Sequence, residues 1–249
     1  MAESSFGQFI YDCLDGIVFK VRENGKVINK TVYLCVGLNK EGLKEVLGMW
    51  IGKNESAAFW MGVLTDLKAR GVEDILITVT DNLNGFTETI KSVFPASTTQ
   101  ICVVHQIRNS CRYVVWKEKK EFTADLKNIY NAPTKEAAER ELDNFEQKWG
   151  AKYPYAIRSW RNNWEELTVF FDFPVEIRKI IYITNLIENL NGKIRKYTKN
   201  KLSFPNDDAL KKSVYLAINE IQKKWYQPIW NWALIFNQFI TIFENRIQV

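Results

Sequence analysis

The sequence predicts an α/β protein in which helices flank a mixed sheet. Its first hundred residues alternate short β-branched runs with amphipathic segments, in the order β-β-β-α-β-α-β. Tight turns join the first three runs, which indicates antiparallel strands. From Gln106 onward the strand patterns end and helical periodicity takes over. Because 46% of the 249 residues are hydrophobic, the chain can build a substantial core.

The first three predicted strands cover residues 15–22, 27–38 and 43–51, while residues 1–11 carry no strong signal. The first turn has Asn24-Gly25 at its centre, a pair that favours the positive φ angles of a two-residue hairpin. A second turn is expected at residues 39–42, so the three strands form an antiparallel meander.

An amphipathic helix is predicted over residues 56–70, followed by a strand over 74–81, a helix over 85–94 and a strand over 98–104. The strand over 74–81 ends on Asp81. Ligands of open α/β sheets bind outside the carboxyl ends of the strands, which makes Asp81 a candidate binding residue. A cap on the next helix, or the start of a turn, is the alternative role for this aspartate.

Residues 117–130, 134–149 and 153–171 are predicted to be helices in a charged block. We expect a helical insertion over 106–183, which divides a core made of residues 1–105 from a last part over 184–249. Core packing is expected for four tryptophans of this block, and stacking on nucleic-acid bases is the alternative. These four are Trp116, Trp149, Trp160 and Trp164.

Three further helices are predicted in the last part of the chain. The first covers residues 184–196 and is capped by Thr184. Its polar stripe, at helical spacing, consists of Asn185, Glu188, Asn191 and Arg195. A second helix is expected over 208–225, and Pro228 is expected to open a buried third one.

Composition excludes several classes of protein. The four cysteines are scattered, with no Cys-x-x-Cys pair and no secretory signal before them, so reduced thiols and a cytoplasmic location are expected. No apolar run reaches the roughly 18 residues of a membrane span. A single histidine excludes mechanisms that need two, and a net charge of +5 permits a polyanionic partner.

Three carboxylates, Asp15, Asp81 and Glu188, lie where the predicted architecture could bring them together. Mg²⁺ takes oxygen ligands, and a bridging aspartate with one further acid on each side can hold two ions about 4 Å apart. Such ions activate the attacking oxygen and stabilise the leaving one in phosphoryl transfer. Since the chain has 29 acidic residues, spacing alone does not establish this site.

Successive motifs along nearly the whole chain resemble those of the Mutator-type transposases of bacterial insertion sequences. They are Asp15-Gly-Ile-Val-Phe-Lys-Val-Arg22, Glu55-Ser-Ala-Ala-Phe-Trp60, Asp66-Leu-Lys-Ala-Arg-Gly71, Cys102-Val-Val-His105-Gln-Ile-Arg108-Asn109, Thr184-Asn185-Leu-Ile-Glu188-Asn-Leu-Asn191 with Arg195, and Phe204-Pro-Asn206. The resemblance implies a ribonuclease-H-like catalytic core, similar to that of retroviral integrases, with a helical insertion before the last acid. It also implies a DDE triad made of Asp15, Asp81 and Glu188.

The resemblance further implies two Mg²⁺ or Mn²⁺ ions, cleavage and transfer of DNA strands, and action on terminal inverted repeats and target DNA. A homodimer acting in the bacterial cytoplasm, at the nucleoid, is expected. His105 would lie at a strand end beside Asp81, although a partly buried structural histidine is the alternative. The expected DNA-binding residues are His105, Arg108, Asn109, Asn185, Asn191, Lys193, Arg195, Lys196 and Lys199.

Two departures from the family pattern leave a second hypothesis open. Asn82 follows Asp81 where the family usually has glycine, and only 14 residues precede Asp15 where the family has a helical DNA-binding region. We therefore expect either a truncated copy or the catalytic part alone. The alternative function is an inactive remnant that binds DNA without cleaving it. A helical protein-interaction module is disfavoured, because it leaves the positions of the acids unexplained.

Overall fold

The computed structural model describes residues 7–52, 56–81, 85–181 and 185–247. The chain divides into two compact units. The first unit consists of residues 1–99 together with 184–249, and the second of residues 100–183. We call them the sheet unit and the helical unit. Thr184 and Asn82, for which the sequence predicts a cap and a turn, lie outside the described residues.

Five strands form one mixed sheet with the order β3-β2-β1-β4-β5. β1 pairs antiparallel with β2, β2 pairs antiparallel with β3, and β1 pairs parallel with β4. The predicted α/β class, with a mixed sheet and flanking helices, is confirmed. The strands are β1 (Gly7–Glu23), β2 (Lys26–Asn39), β3 (Lys44–Gly52), β4 (Val72–Thr80) and β5 (Thr98–Ile101).

Eleven α-helices occur in the described ranges. In the sheet unit these are α1 (Ala57–Ala69), α2 (Phe86–Val93), α9 (Asn185–Thr198), α10 (Asp207–Gln222) and α11 (Trp232–Ile242). In the helical unit they are α3 (Val103–Ser110), α4 (Lys119–Tyr130), α5 (Lys135–Trp149), α6 (Pro154–Asn162), α7 (Trp164–Thr168) and α8 (Val175–Ile181).

The hairpin between β1 and β2 forms as predicted. Asn24 and Gly25 have φ angles of 49° and 77°, and the pair Glu23 and Lys26 closes the ladder. However, β1 begins at Gly7 and not at the predicted Asp15. Its first half pairs with β4 between Gly7 and Cys13, and this long-range pairing leaves no local pattern in the sequence.

One face of the sheet is covered by α1 and α2. Ser56 caps α1 by accepting a 3.2 Å hydrogen bond from the Phe59 amide. Trp60 of α1 is completely buried, with ring centroids 4.7 Å from Phe86 and 4.9 Å from Tyr33. Truncating such a ring typically costs about 3–5 kcal/mol. The main hydrophobic core of the sheet unit therefore lies between this face of the sheet and the helices α1 and α2.

The opposite face of the sheet is covered by α9. Its apolar seam, predicted from the sequence, is completely buried and consists of Ile187, Leu190 and Ile194. α9 packs against β1 and β2. The segment between α9 and α10 is tied to β1, because the Arg22 amide donates to the Phe204 carbonyl and the Phe204 amide to the Lys20 carbonyl, both at 2.8 Å. This backbone pairing fixes the end of α9 on the sheet.

The helical unit has a core of its own. Phe122 and Phe145 are buried with ring centroids 4.9 Å apart. Of the four tryptophans, three are buried as predicted (Trp149, Trp160 and Trp164), whereas Trp116 is 85% exposed. The single helix predicted over 153–171 is wrong. The chain forms α6, then α7 after Asn163, and then a 3-10 turn at Val169–Asp172.

The last predicted helix also differs from the structure. α11 begins at Trp232 and not at Pro228, because the Ile229 amide bonds to the Gly42 carbonyl at 3.0 Å and Asn231 has a φ of 58°. It is only partly buried, since Leu234 is 50% exposed. Among the described residues, no helix has the length and apolar character that a membrane crossing needs.

Candidate active site

Asp15 and Asp81 lie side by side on two parallel strands. In the register of β1 and β4, Cys13 is opposite Val79, so that two residues further on Asp15 reaches the level of Asp81. A carboxylate oxygen of Asp15 and one of Asp81 lie within 4.8 Å of each other. Asp81 is the first residue after β4, at the carboxyl end of that strand, and both side chains are partly exposed.

The backbone around Asp15 holds its carboxylate in a defined orientation. The Gly16 amide donates a 2.7 Å hydrogen bond to Oδ1 of Asp15. A Cβ at Gly16 would lie 2.6 Å from Cγ2 of Thr31 and 3.2 Å from the ring of Tyr33. Because real Cβ contacts are longer than this, glycine is required next to the aspartate.

Asn191 of α9 contacts the other oxygen of Asp15. Its Nδ2 donates to Oδ2 of Asp15 at 2.7 Å, and its side chain is 2% exposed. Leu14 belongs to the core cluster under α1 and α2, and alternation along a strand turns Asp15 to the face that α9 covers. Both oxygens of Asp15 thus accept hydrogen bonds from groups that the fold holds in place.

Glu188 lies on α9 three residues before Asn191. Residues three apart are neighbours on a helix surface, so Glu188 and Asn191 share the face of α9 that meets β1. Its side chain is partly exposed. Within the described ranges, the oxygens of Glu188 do not lie within 4.8 Å of both Asp15 and Asp81. The structure thus groups Asp15 with Asp81 and places the third predicted acid on the adjoining helix.

The alternative role of Asp81 as a helix cap does not fit the structure. The N-cap residue of α2 is Gly85, with a φ of 74°, and no side chain forms a capping hydrogen bond there. Asp81 precedes that position by four residues and is separated from it by residues outside the described ranges. A carboxylate beside Asp15 is therefore what the position of Asp81 provides.

The predicted DNA-binding residues of the sheet unit lie on one basic stretch. Lys193 is partly exposed, and the exposed cations of the stretch are Arg195, Lys196 and Lys199. The predicted Asn185 begins α9, but its side chain lies outside the described part of the chain. Asn191, also predicted to bind DNA, is buried against Asp15. The structure therefore gives Asn191 a contact within the site.

Lys44 joins this basic stretch and was missed by the sequence analysis. Burial lowers the pKa of the Lys44 ammonium, and the nearby charge of Lys193 lowers it further. Lys44 begins β3, whereas Lys193 lies on α9. No local pattern connects two lysines so far apart in the chain, and only the packing of α9 and the sheet brings their charges together.

In the helical unit, α3 carries the remaining predicted residues. β5 ends at Ile101, earlier than the predicted Val104, and α3 begins at Val103. Cys102 caps this helix, with its Sγ accepting from the His105 amide at 3.4 Å. The residues just before His105, which were expected to end a strand, therefore belong to α3, and His105 lies in the first turn of this helix. His105 is partly exposed, whereas Arg108 and Asn109 are exposed.

Comparison with known proteins gives a consistent result. The model of the family described as "Transposase, Mutator family" matches residues 5–228. A probable transposase for an ISRM3-like insertion sequence element from Sinorhizobium fredii is 43% identical over 93% of the chain and 58% of its own length. A probable insertion-sequence transposase from Corynebacterium diphtheriae is 41% identical over 85% of the chain and 62% of its own length. The chain thus spans about three fifths of these relatives.

A solved structure of a simian T-cell lymphotropic virus intasome in complex with a PP2A regulatory subunit is also similar to the chain. It has a TM-score of 0.30 and 14% identity over 58% of this chain and 49% of that chain.

Proposed function

The chain belongs to the Mutator family of transposases, and on that premise we propose that it provides the catalytic core that cleaves and transfers DNA strands. The observation that carries the proposal is the pair of carboxylates whose oxygens lie within 4.8 Å, Asp15 in the middle of β1 and Asp81 at the carboxyl end of the parallel strand β4. The helix that bears Glu188 is joined to this pair through Asn191. The helical unit is, on this proposal, an insertion into the core.

The donor set fits hard divalent cations. Two carboxylates with oxygens this close match the oxygen ligands that Mg²⁺ and Mn²⁺ take, and Asp15 and Asp81 would hold such ions. We assign Glu188 as the third carboxylate of the DDE triad. When bound, two divalent ions would supply Lewis-acid activation for phosphoryl transfer.

The protein's own groups orient the donors. Asp15 receives hydrogen bonds from the Gly16 amide and from Asn191, so its carboxylate cannot rotate without losing both. Hydrogen-bond donors that contact a metal-binding carboxylate in this way hold it in a productive geometry. Asn191 is accordingly proposed as the residue that positions Asp15.

The basic stretch, residues 193–199 at the end of α9 and just beyond it, would bind the phosphate backbone of the DNA. Its cations are Lys193, Arg195, Lys196 and Lys199, and Lys44 adds a fifth positive charge beside Lys193. Phosphate contacts of this kind make binding fall steeply with salt. The proposed substrates are the ends of an insertion sequence and the target DNA. A homodimer is the proposed acting form, since a dimer has one active site for each of the two ends of the insertion sequence.

The proposal is tested by Mn²⁺-dependent nicking of a labelled duplex that carries the ends of the element. We expect Asp81→Asn and Asp15→Asn each to reduce nicking at least about 100-fold, because each removes a charged metal ligand. Divalent-ion binding, measured by calorimetry, should fall in parallel. DNA binding without added metal should persist, because the basic residues are unchanged.

Asp208→Asn is the matched control. Asp208 is an exposed aspartate in the first turn of α10, so the same chemical change there should leave nicking unchanged. If Asp81→Asn retained full Mn²⁺-dependent nicking, the assignment of the triad would be wrong. Salt-dependent DNA binding by the unmodified chain, with no cleavage under Mg²⁺ or Mn²⁺, would instead identify an inactive DNA-binding remnant.

A further inference from the structure

Trp116 is the exception among the tryptophans of the helical unit. Its side chain is 85% exposed, whereas Trp149, Trp160 and Trp164 are each less than 9% exposed. Core packing therefore explains three of these side chains and leaves the fourth without a structural role. A fully exposed indole on a well-packed unit is a candidate contact for a partner molecule.

Trp116 belongs to a group of exposed apolar side chains. Tyr113 is 64% exposed, Val115 is 52% exposed and Tyr155 of α6 is 54% exposed. The rings of Tyr113 and Tyr155 are in edge-to-face contact, with centroids 5.4 Å apart at 84°. We call residues 112–117 the aromatic segment. It presents two large rings to solvent within four residues of chain.

Burial and hydrogen bonds hold the backbone of the aromatic segment in place. Val114 is buried, and its amide bonds to the Cys111 carbonyl at 3.3 Å. The Val115 amide donates to the hydroxyl oxygen of Tyr153 at 3.3 Å, and this hydroxyl in turn donates to Glu118 at 2.5 Å. The exposed rings are thus held on a fixed backbone, which lowers the entropy lost when they bind a partner.

Charge decides which partner fits. Arg112, Lys117 and Lys120 are exposed in or beside the aromatic segment. Two acids beside the segment, Glu118 and Glu121, form salt bridges with Lys152 and Lys148, respectively. The guanidinium of Arg112 also lies 5.9 Å from the centroid of the Tyr113 ring. Aromatic faces alternating with cations suit a strand whose bases are free to stack and whose phosphates are negative.

From this we infer that the aromatic segment binds DNA with unpaired bases, with Trp116 stacking on a base and Arg112 and Lys117 contacting phosphates. A regular duplex keeps the faces of its bases stacked inside, so it offers little to an exposed indole. The inference rests on the proposed function for its partner, DNA, and adds a preference for strands that are unpaired or locally opened.

The test compares two kinds of DNA in EDTA, where metal-dependent cleavage does not occur. Fluorescence anisotropy would give the Kd of the chain for a labelled oligothymidylate and for a labelled blunt duplex. We expect Trp116→Ala to weaken oligothymidylate binding about tenfold, as for the loss of one stacked base, and duplex binding less than about twofold. Trp116→Phe keeps an aromatic face and should recover most of the affinity.

Trp230→Ala provides the matched control, because Trp230 is 86% exposed but belongs to the sheet unit. It should leave both Kd values unchanged. The salt dependence of binding offers a second readout. Trp116→Ala should keep the slope of log Kd against log salt, whereas Lys117→Gln should reduce it, since the proposed contact of Lys117 is with a phosphate and that of Trp116 is with a base.

Equal effects of Trp116→Ala and Trp230→Ala on oligothymidylate binding would overturn the inference. Loss of self-association in Trp116→Ala, with DNA binding unchanged, would also overturn it and would mark a contact between protein chains. If the unmodified chain bound neither DNA, the proposed function would fail as well. If it bound the duplex but not oligothymidylate, only the inference would fail.

Discussion

Each unit of the molecule buries a polar amide side chain, and the partners of the two amides differ. In the sheet unit, Asn191 donates to the carboxylate of Asp15, a partly exposed side chain. In the helical unit, Gln100 is 1% exposed and forms three hydrogen bonds with backbone groups of its own unit. Burial alone therefore does not distinguish an amide of the candidate site from one that only supports the fold.

The bonds of Gln100 show what a structural amide does. Its Nε2 donates to the carbonyls of Ile101 (2.6 Å) and Leu167 (2.8 Å), and its Oε1 accepts from the Phe170 amide at 2.8 Å. Leu167 and Phe170 lie where α7 passes into the 3-10 turn, a region whose backbone groups the helix ladder does not satisfy. Gln100 replaces the missing ladder partners.

A second structural network in the helical unit follows the same rule. Gln106 donates to the hydroxyl of Ser159 at 2.8 Å, and the indole of Trp160 donates to the hydroxyl of Ser110 at 2.9 Å. The partners are again neighbouring groups of the same unit. The difference teaches that a buried amide points to function when its partner is a ligand-type group, such as the carboxylate of Asp15.

The largest expected effect is on folding stability in the helical unit. Gln100→Leu would remove the three hydrogen bonds that this side chain forms with buried backbone groups of Ile101, Leu167 and Phe170. We expect the free energy of unfolding to fall by about 3 kcal/mol, as for unsatisfied buried polar groups. Urea unfolding followed by circular dichroism measures this change.

Gln147→Leu makes the same substitution at an exposed position of α5 and should change the unfolding free energy by less than about 0.5 kcal/mol. Divalent-ion binding should be unchanged in both variants at temperatures where they are folded. A stability loss below about 1 kcal/mol for Gln100→Leu would show that Gln100 does not stabilise the fold, and its contrast with Asn191 would then be wrong.

The second prediction concerns Asn191, the amide of the candidate site. Asn191→Ala would remove the donor on Oδ2 of Asp15 and free its carboxylate to rotate. We expect divalent-ion affinity, measured by calorimetry, to fall about tenfold, the lower end of the range for groups that orient metal ligands. Asn189→Ala changes an exposed asparagine of the same helix and should leave this affinity unchanged. Equal ion affinities of the two variants would show that Asn191 is structural.

Much of the sheet unit could be predicted because its signals are local. The Asn24-Gly25 pair specifies the turn between β1 and β2 through its positive φ angles. The apolar run that ends at Thr80 specifies β4 and leaves Asp81 at its end. The seam of α9 was likewise visible as helical spacing. The positions of Asp81 and Glu188 on their elements therefore followed from sequence, whereas Asp15 lies in the middle of β1 and not at its predicted start.

What could not be predicted depends on contacts distant in the chain. The first half of β1 becomes a strand because it pairs with β4, and Asn231 leaves the helical region where the Ile229 amide meets Gly42. The bond from Asn191 to Asp15 joins residues 176 positions apart. Spacing placed Asn191 on the polar stripe of its helix. Only packing shows that its partner is an acid of the candidate site.

The smallest expected effect is a pH dependence in the helical unit. Hydrogen bonds from Lys152 and then from Tyr153 hold the pKa of the Glu118 carboxyl below its ordinary value. Because this pKa is lower in the folded protein, Glu118 stabilises the fold above its unfolded pKa, and this contribution is lost as pH falls through the folded pKa. The carboxyl is exposed to solvent, so screening keeps the effect small.

A carbon-13 NMR titration would measure the Glu118 carboxyl directly. We expect Lys152→Gln to raise its pKa more than Tyr153→Phe does, because the lysine is the larger cause of the shift. Lys120→Gln, which removes an exposed lysine of α4, is the control and should leave the titration unchanged. Tyr153 also anchors the backbone of Val115, so Tyr153→Phe should weaken oligothymidylate binding more than Lys152→Gln, which removes only the cation that neutralises Glu118. A larger loss of oligothymidylate binding in Lys152→Gln than in Tyr153→Phe would mean that the charge of Glu118, and not the anchored backbone of Val115, controls DNA binding by the aromatic segment.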